Sequence, residues 1–340
     1  MNFGEFRTWF DEQFSFLLEK KIRDFIAHGK NSDITPIVSY ITSIAKNGKR
    51  FRPFLVYSAS NLNKKNANDH FLLFASVELL HIFALIHDDI MDEADMRHGV
   101  ICAHKKFTAK YGKTTSQSIG ILLGDLVFAW AYECLFEYTS LFPNTHHRIT
   151  QEFTQLVSEV TYGQILDVLS PSQKPLEEKA ILEKMILKTA RYSFVRPLLL
   201  GFVLSGDQTT DHEFAEKFGL ALGIGFQLQD DLLDTLPTEK TGKSQFSDIQ
   251  NKNQTLLSHY LFQSKPEYSN KLMLFWGKTL VDENDRQSLT HILVNSGAID
   301  YIKKLTTEYF NKAQTTVTER DDSDQPRWKS IIELIENRKK

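Results

Sequence analysis

The chain has 340 residues, 41% of them hydrophobic, a net charge of -3 and only two cysteines. That is enough apolar material for one large core or two modest domains, while the charge argues against a dedicated nucleic-acid binder, whose domain would be basic. Cys102 and Cys134 are too few for a disulfide framework, which points to a reducing compartment. The opening MNFGEFRTWFDEQFSFLLEKKI carries charges throughout its apolar pattern and lacks the layout of a signal peptide. The greasiest run, 121–136, is shorter than the ~20 residues of a bilayer span and contains Asp125. A cytoplasmic protein with no membrane span is expected.

Nearly every long segment shows helical spacing, and none shows sustained alternation of apolar and polar residues. Phe6, Phe10, Phe14, Leu17 and Leu18 mark a first amphipathic helix, and 33–45 a second, closed by the turn at Asn47-Gly48. Pro53 sits near the start of the next helix, where a missing N–H costs little; the polar stretch 61–69 reads as a loop. An apolar helix then runs into a cluster of carboxylates, and a long apolar helix covers about 116–138. Helices follow at 149–169 and 182–204, the latter with Pro197 as a kink, and at 213–234, which delivers a second acidic cluster. The longest polar connector, 235–253, precedes apolar spacing that continues from Leu256. No repeat or linker composition interrupts the pattern, so the expectation is one all-α domain over 1–340.

The first cluster, ELLHIFALIHDDIMDEADMRHG, places Asp88, Asp89, Asp92, Glu93 and Asp95 within two turns. Folding does not require so many mutually repelling carboxylates, and bound magnesium would relieve them, since it accepts one or two carboxylates beside water and phosphate oxygens. Asp88 and Asp92, four apart, share a helix face, and His81 lies seven residues earlier on nearly the same face. GFQLQDDLLD repeats the logic with Asp230 and Asp234, and Gln227 one turn before. One such motif reads equally well as a solvated helix end; two, each ending an apolar helix, suggest carboxylates that grip a shared metal cluster.

Basic residues complement them. Gly48-Lys49-Arg50-Phe51-Arg52-Pro53 puts cations at a turn opening a helix, where free N–H groups also attract anions. Arg97 and His98 follow the first acidic cluster, Lys188-Thr189 sits inside an apolar helix where a lysine needs a partner, and Lys243 lies in a turn after the second cluster. Each alone reads as a surface charge. Together with the carboxylates and apolar interior they suggest a hydrophobic substrate bearing phosphate. Asp125 reads as a buried hydrogen-bonder, Asp321-Asp322-Ser323-Asp324 as a solvated loop, and Arg338-Lys339-Lys340 as a frayed end.

From Gly48 to about Thr255 the chain resembles the trans-isoprenyl diphosphate synthases (polyprenyl synthetases), most like the short-chain geranylgeranyl and farnesyl enzymes. GKRFRP, ELLHIFALIHDDIMD, GDLVFAWAYECL, YGQILD, KTARYSFVRPL, GFQLQDDLLD and TGKSQFSDIQ occur in the family's order. The resemblance implies an all-α bundle of the isoprenoid synthase type with a central cavity, and head-to-tail condensation of isopentenyl diphosphate with dimethylallyl, geranyl or farnesyl diphosphate. It implies three magnesium ions, Asp88, Asp92 and Asp230 as direct ligands, and Asp89, Asp231 and Asp234 as support, with Asp234 counted among the metal-site residues. Arg97, Lys188 and Lys243 would hold the allylic diphosphate; Gly48, Lys49, Arg52, His81 and His98 would serve isopentenyl diphosphate. Thr189 and Gln227 would direct oxygens at the developing cation, with Tyr192 nearby and Gln164 near the cavity. A homodimer is implied, with the 121–136 helix as a candidate interface.

The chain departs from the family at His98, where a second arginine is usual, at Ile101-Cys102 in place of Pro-Thr, and at Asn253, where relatives often carry lysine. Phe83 lies about 7.5 Å down the helix from Asp88, at ~1.5 Å per residue, and Ala84 one turn before Asp88 is small. One aromatic and no insertion in the motif is the pattern of C20 enzymes, so geranylgeranyl diphosphate is the expected product and farnesyl diphosphate the second choice. The rival readings are a terpene synthase that ionises without elongating, and a non-catalytic regulatory subunit.

Overall fold

A computed structural model describes residues 1–97, 99–172, 175–206, 209–235, 245–264, 266–280, 282–320 and 323–337. Its two compact units are Met1–Glu152 with Leu200–Asp207, and Phe153–Leu199 with Gln208–Lys340.

The first unit opens with α1 (Phe3–Ile26), started by a reciprocal capping box. The Asn2 side chain accepts from Glu5 N–H at 2.9 Å, and the Glu5 carboxylate accepts from Asn2 N–H at 3.0 Å. Phe6, Trp9, Phe10, Phe14, Leu18 and Ile22 recur every three or four residues and bury one stripe. This stripe meets α3 (Phe51–Ala59) through Phe54 and Tyr57, and α5 (Phe71–Met91) through Phe71 and Phe74. α2 (Ile34–Ala45) lies beside them, and the expected loop before α5 contains α4 (Lys64–Ala67) and a single 3-10 turn.

Along α5, Leu73, Phe74, Val77, Leu79, Leu80, Ile82 and Ile86 are buried. Their main partner is α8 (Lys113–Leu141), which buries Leu123, Val127, Trp130, Ala131, Cys134, Leu135 and Tyr138. Each such large apolar side chain stabilises the unit by about 1.5–3 kcal/mol. α8 has 29 residues, a few more at each end than the long apolar helix expected over about 116–138; it and the stretch 64–91 are both long and apolar enough to cross a membrane. Their apolar faces meet each other, as core helices do.

Between α5 and α8 the chain makes a structure that the helical reading omits. β1 (Met96–Arg97) pairs antiparallel with β2 (Val100–Ile101), turning through Gly99 at φ +80°, and leads into α6 (Ala103–Lys106) and α7 (Thr108–Tyr111).

The second unit takes up most of α9 (His146–Leu169), then α10 (Glu178–Met185). The single helix expected over 182–204 is three pieces: α10, a π-helical stretch at Ile186–Val195, and α11 (Arg196–Ser205). Pro197 has no N–H to give and would press on a carbonyl one turn back; the wider ladder just before it relieves both problems. α12 (Thr209–Asp234) is central, burying Phe214, Phe218, Leu222, Ile224 and Leu228 against the π stretch and α17 (Ala298–Glu319). Trp328 of α18 (Gln325–Glu336) closes one end over Phe214 and Phe218. The expected polar connector contains α13 (Ser247–Gln250), and α14 (Leu256–Ser264), α15 (Pro266–Leu272) and α16 (Glu283–Asn295) complete this unit's core.

Candidate active site

The first acidic cluster forms the last turn of α5, where Asp92 is the cap and Glu93, at φ +51°, ends the helix. Asp92 N–H donates to the Asp88 carbonyl at 2.9 Å, so the two side chains leave one face, both half-buried. Asp89 points inward and is buried. The hairpin brings Arg97 back onto both acids: its Nε donates to Asp89 at 2.6 Å and its Nη2 to Asp88 at 3.2 Å. Burial opposes the Arg97 charge, but Asp89 and Asp88 outweigh it and hold the guanidinium more firmly protonated than usual.

Cys102 also serves Asp89. Burial first, then Asp89 beside it, pushes the thiol up to about 12, and the S–H bonds to the carboxylate. The departure Ile101-Cys102 thus still supplies a donor at this point. Tyr40 adds a lock by donating its hydroxyl to the Ile101 carbonyl.

In GKRFRP the three cations separate. Lys49 is exposed and Arg52 half-buried, whereas Arg50 turns inward at φ +58° and is only 4% exposed. Its Nε donates to Asp11 at 2.7 Å, its Nη1 to the buried Glu78 at 2.6 Å and its Nη2 to the Ala45 carbonyl at 2.5 Å. Gly48 makes room for this: a Cβ there would lie 1.9 Å from Arg50 Nη1. Arg50 is a structural residue that sequence reasoning did not separate from its neighbours; a glutamate at a core position of α5 was the available signal. His81 lies half-buried one turn after Glu78.

Below the acids, Phe83 is half-buried and stands 4.7 Å, centroid to centroid, from both His87 and Phe128 of α8. The ladder continues through Tyr132 at 4.9 Å and Phe136 at 5.8 Å. Ala84 is half-buried beside it. Asp125 is corrected: its side chain is 60% exposed on the outer stripe of α8 and lies 3.6 Å from His87. The same His87 ring nitrogen is 3.1 Å from the Ile121 carbonyl.

In the second unit the π stretch carries Lys188 and Thr189. Such widened turns are common at functional sites. It is gripped from two sides by glycines. A Cβ on Gly163 of α9 would lie 2.5 Å from Lys188 N, and one on Gly223 of α12 would lie 2.4 Å from Ala190 Cα. Lys188 Nζ pairs with Asp167 at 2.5 Å. Burial would raise the Asp167 pKa, but Lys188 and Lys184 outweigh it and hold the carboxyl below its ordinary value.

Thr189 Oγ1 donates to Gln227 Oε1 at 2.7 Å, and Gln227 Nε2 donates to Asp231 at 2.8 Å. This relay fixes which way the Gln227 amide faces. Asp231 is buried, and desolvation with the adjacent Asp230 raises its pKa to about 7 even though Gln227 bonds to it. Asp230 is half-buried, Tyr192 buried and Gln164 half-buried.

Asp234, counted from the sequence among the metal-site residues, has another task. Its Oδ1 accepts from Ser247 N–H at 3.1 Å and from the Ser247 hydroxyl, and its Oδ2 accepts from Asp248 N–H at 3.1 Å. Both oxygens thus cap α13. Asn253, the departure from lysine, donates to Asp248 at 3.2 Å. His98, Lys243, Asp321, Asp322 and the C-terminal Arg338-Lys339-Lys340 lie outside the described residues.

Among the described residues no group of three or more His, Cys, Asp or Glu is already gathered as a metal cage. The donors are carboxylates at helix ends, which fits magnesium, a cation that keeps waters and substrate oxygens as most of its ligands.

The sequence model of the Polyprenyl synthetase family matches residues 33–293. A geranylgeranyl diphosphate synthase of Methanosarcina mazei is 30% identical over 78% of each chain, and one of Sulfolobus acidocaldarius is 28% identical over 90% of this chain and 91% of that one. In fold, the chain is similar to the crystal structure of a geranylgeranyl pyrophosphate synthase from Corynebacterium glutamicum complexed with isoprenyl diphosphate and magnesium. That likeness has a TM-score of 0.90 at 23% identity and covers 99% of this chain and 100% of that one. The fold is therefore that of the isoprenyl diphosphate synthases, all-α among the described residues but for one short hairpin, and the activity is that of a prenyltransferase condensing short-chain trans-prenyl diphosphates. The chain belongs to the polyprenyl synthetase family.

Proposed function

We propose that the chain is a magnesium-dependent geranylgeranyl diphosphate synthase. The observation that carries the proposal is the pairing of acids with positioned cations: Asp88 with Arg97 on one unit, and Asp167 with Lys188, next to the Thr189–Gln227–Asp231 relay, on the other. Asp88, Asp92 and Asp230 would hold the magnesium, with Asp89 and Asp231 behind them. Magnesium, when bound, supplies a Lewis acid that draws off charge from the departing diphosphate.

The chain's own residues do the rest. Arg97 exchanges part of its contact with Asp88 and Asp89 for diphosphate oxygens, and Lys188 does the same from Asp167. Thr189 and Gln227 turn oxygen toward the electron-poor carbon, where their mutual hydrogen bond keeps them aligned in advance. Lys49, Arg52 and His81 receive isopentenyl diphosphate, whose double bond attacks that carbon. A proton is then lost to the departing diphosphate.

Phe83, braced by Phe128, is the floor that stops growth at C20. The exposed Ile121, Leu122 and Phe136 on α8 give a homodimer its contact face, and the protein works in the cytoplasm. Incubation with magnesium, labelled isopentenyl diphosphate and dimethylallyl, geranyl or farnesyl diphosphate is expected to yield a C20 diphosphate on chromatography. Cyclic or alcohol products without isopentenyl incorporation would make it a terpene synthase. Folded protein with no turnover would make it a non-catalytic subunit.

A further inference from the structure

Asp167 is held by two lysines, one on each oxygen. Lys184 Nζ lies 2.9 Å from Oδ1 and Lys188 Nζ 2.5 Å from Oδ2. The two cations are not equivalent. The Lys184 side chain is 10% exposed and also donates to the Gln254 carbonyl at 3.0 Å. Gln254 is itself fixed: its amide oxygen accepts from Leu176 N–H at 2.6 Å and its amide nitrogen donates to the Ser170 carbonyl at 2.8 Å. Lys184 thus ends among buried, hydrogen-bonded partners. The Lys188 side chain is 27% exposed and springs from the widened π stretch.

An Asp167 side chain only 10% exposed needs a partner at all times, because an unpaired buried carboxylate is strongly unfavourable. With Lys188 alone, reaching for a diphosphate would strand that charge. We propose that Lys184 is a positioning residue, a fixed counter-charge that keeps Asp167 paired while Lys188 moves to the allylic diphosphate. This rests on the placement of Lys188 at that diphosphate proposed above. The three groups together carry one net positive charge, so the pair offered to the anion stays cationic instead of neutral. The field of Lys184 also reaches Asp231 and Asp248, where Asn253 supplies an amide and no charge.

The test uses the full chain, with steady-state kinetics on geranyl and isopentenyl diphosphates. Lys184→Met is expected to raise KM for geranyl diphosphate about 10–100-fold, the range for losing a supporting partner, and to leave KM for isopentenyl diphosphate unchanged. Lys184→Arg should restore most of it. In Lys184→Met/Asp167→Asn the stranded carboxylate is gone, so KM should fall back toward that of Asp167→Asn alone; this pair carries the test if the single variant folds poorly. An unchanged KM for geranyl diphosphate in Lys184→Met, with Lys188→Met impaired, would overturn the role of Lys184 alone. An unchanged KM in Lys188→Met would overturn the placement of Lys188, and the role of Lys184 with it.

Discussion

Replacing Arg50 tests whether the GKRFRP turn is read correctly from the inside out. The guanidinium is 4% exposed and Glu78, its partner at 2.6 Å, is 1% exposed. Arg50→Met keeps an unbranched stem and the left-handed backbone, so the strain at φ +58° cancels between the two proteins. What remains is an unpaired carboxylate in the α1–α3–α5 core, a change that costs about 3–5 kcal/mol. Loss of the cation over Phe14, at 5.1 Å, adds to this by about 0.5–2 kcal/mol. Set against a typical total of about 5–15 kcal/mol, the variant should give little soluble protein and a much lower urea midpoint by circular dichroism. Adding Glu78→Leu removes the stranded charge and should recover most of the midpoint, since a buried ion pair exchanged for apolar groups is often close to neutral. A wild-type midpoint in Arg50→Met, accompanied by a raised KM for isopentenyl diphosphate, would refute the structural role and return Arg50 to the substrate.

Three further outcomes are expected. Phe83→Ala should lengthen the main product by at least one isoprene unit, and Phe128→Ala should do so partially because it removes only the brace; unchanged C20 in both would place the floor elsewhere. Gly163→Ala should lower the melting temperature, since its Cβ would lie 2.5 Å from the backbone nitrogen of Lys188 and overpacking costs about 1–3 kcal/mol; an unchanged melt would show that α9 can move away. Burial, with Asp89 adding at Cys102, pushes the thiols of Cys102 and Cys134 up to about 12. The thiolate is the reactive form, so folded protein at pH 8 should resist iodoacetamide by intact mass and be alkylated at both sites once unfolded. Rapid native labelling would contradict their burial.

The long helices and both acidic clusters were legible because they rest on periodicity and local spacing, which a sequence displays directly. Arg50 was not, since three cations in four residues look alike until a single left-handed residue sends one of them inward. Asp125 misled for a related reason: an apolar run suggests burial, yet every fourth residue of a surface helix still faces water. The hairpin at Met96–Ile101 is too short to show alternation. Asp234 shares the spacing of a ligand, and its capping of α13, thirteen residues on at Ser247, cannot be read from that spacing. Lys184 escaped notice because its partners, Asp167 and Gln254, come from distant parts of the sequence.

The π-helical stretch at Ile186–Val195 also acts as a rotary joint along an otherwise continuous rod. Each α-helical residue advances the screw by about 100°, so the wider ladder sets the phase of α10 against α11. Removing one residue from this stretch would restore an ordinary screw and swing one side chain set round by about that angle. The side chains before and after the deletion would then no longer share the faces they share now. Through this segment the phase of the screw, as much as residue identity, decides which side chains are available for chemistry.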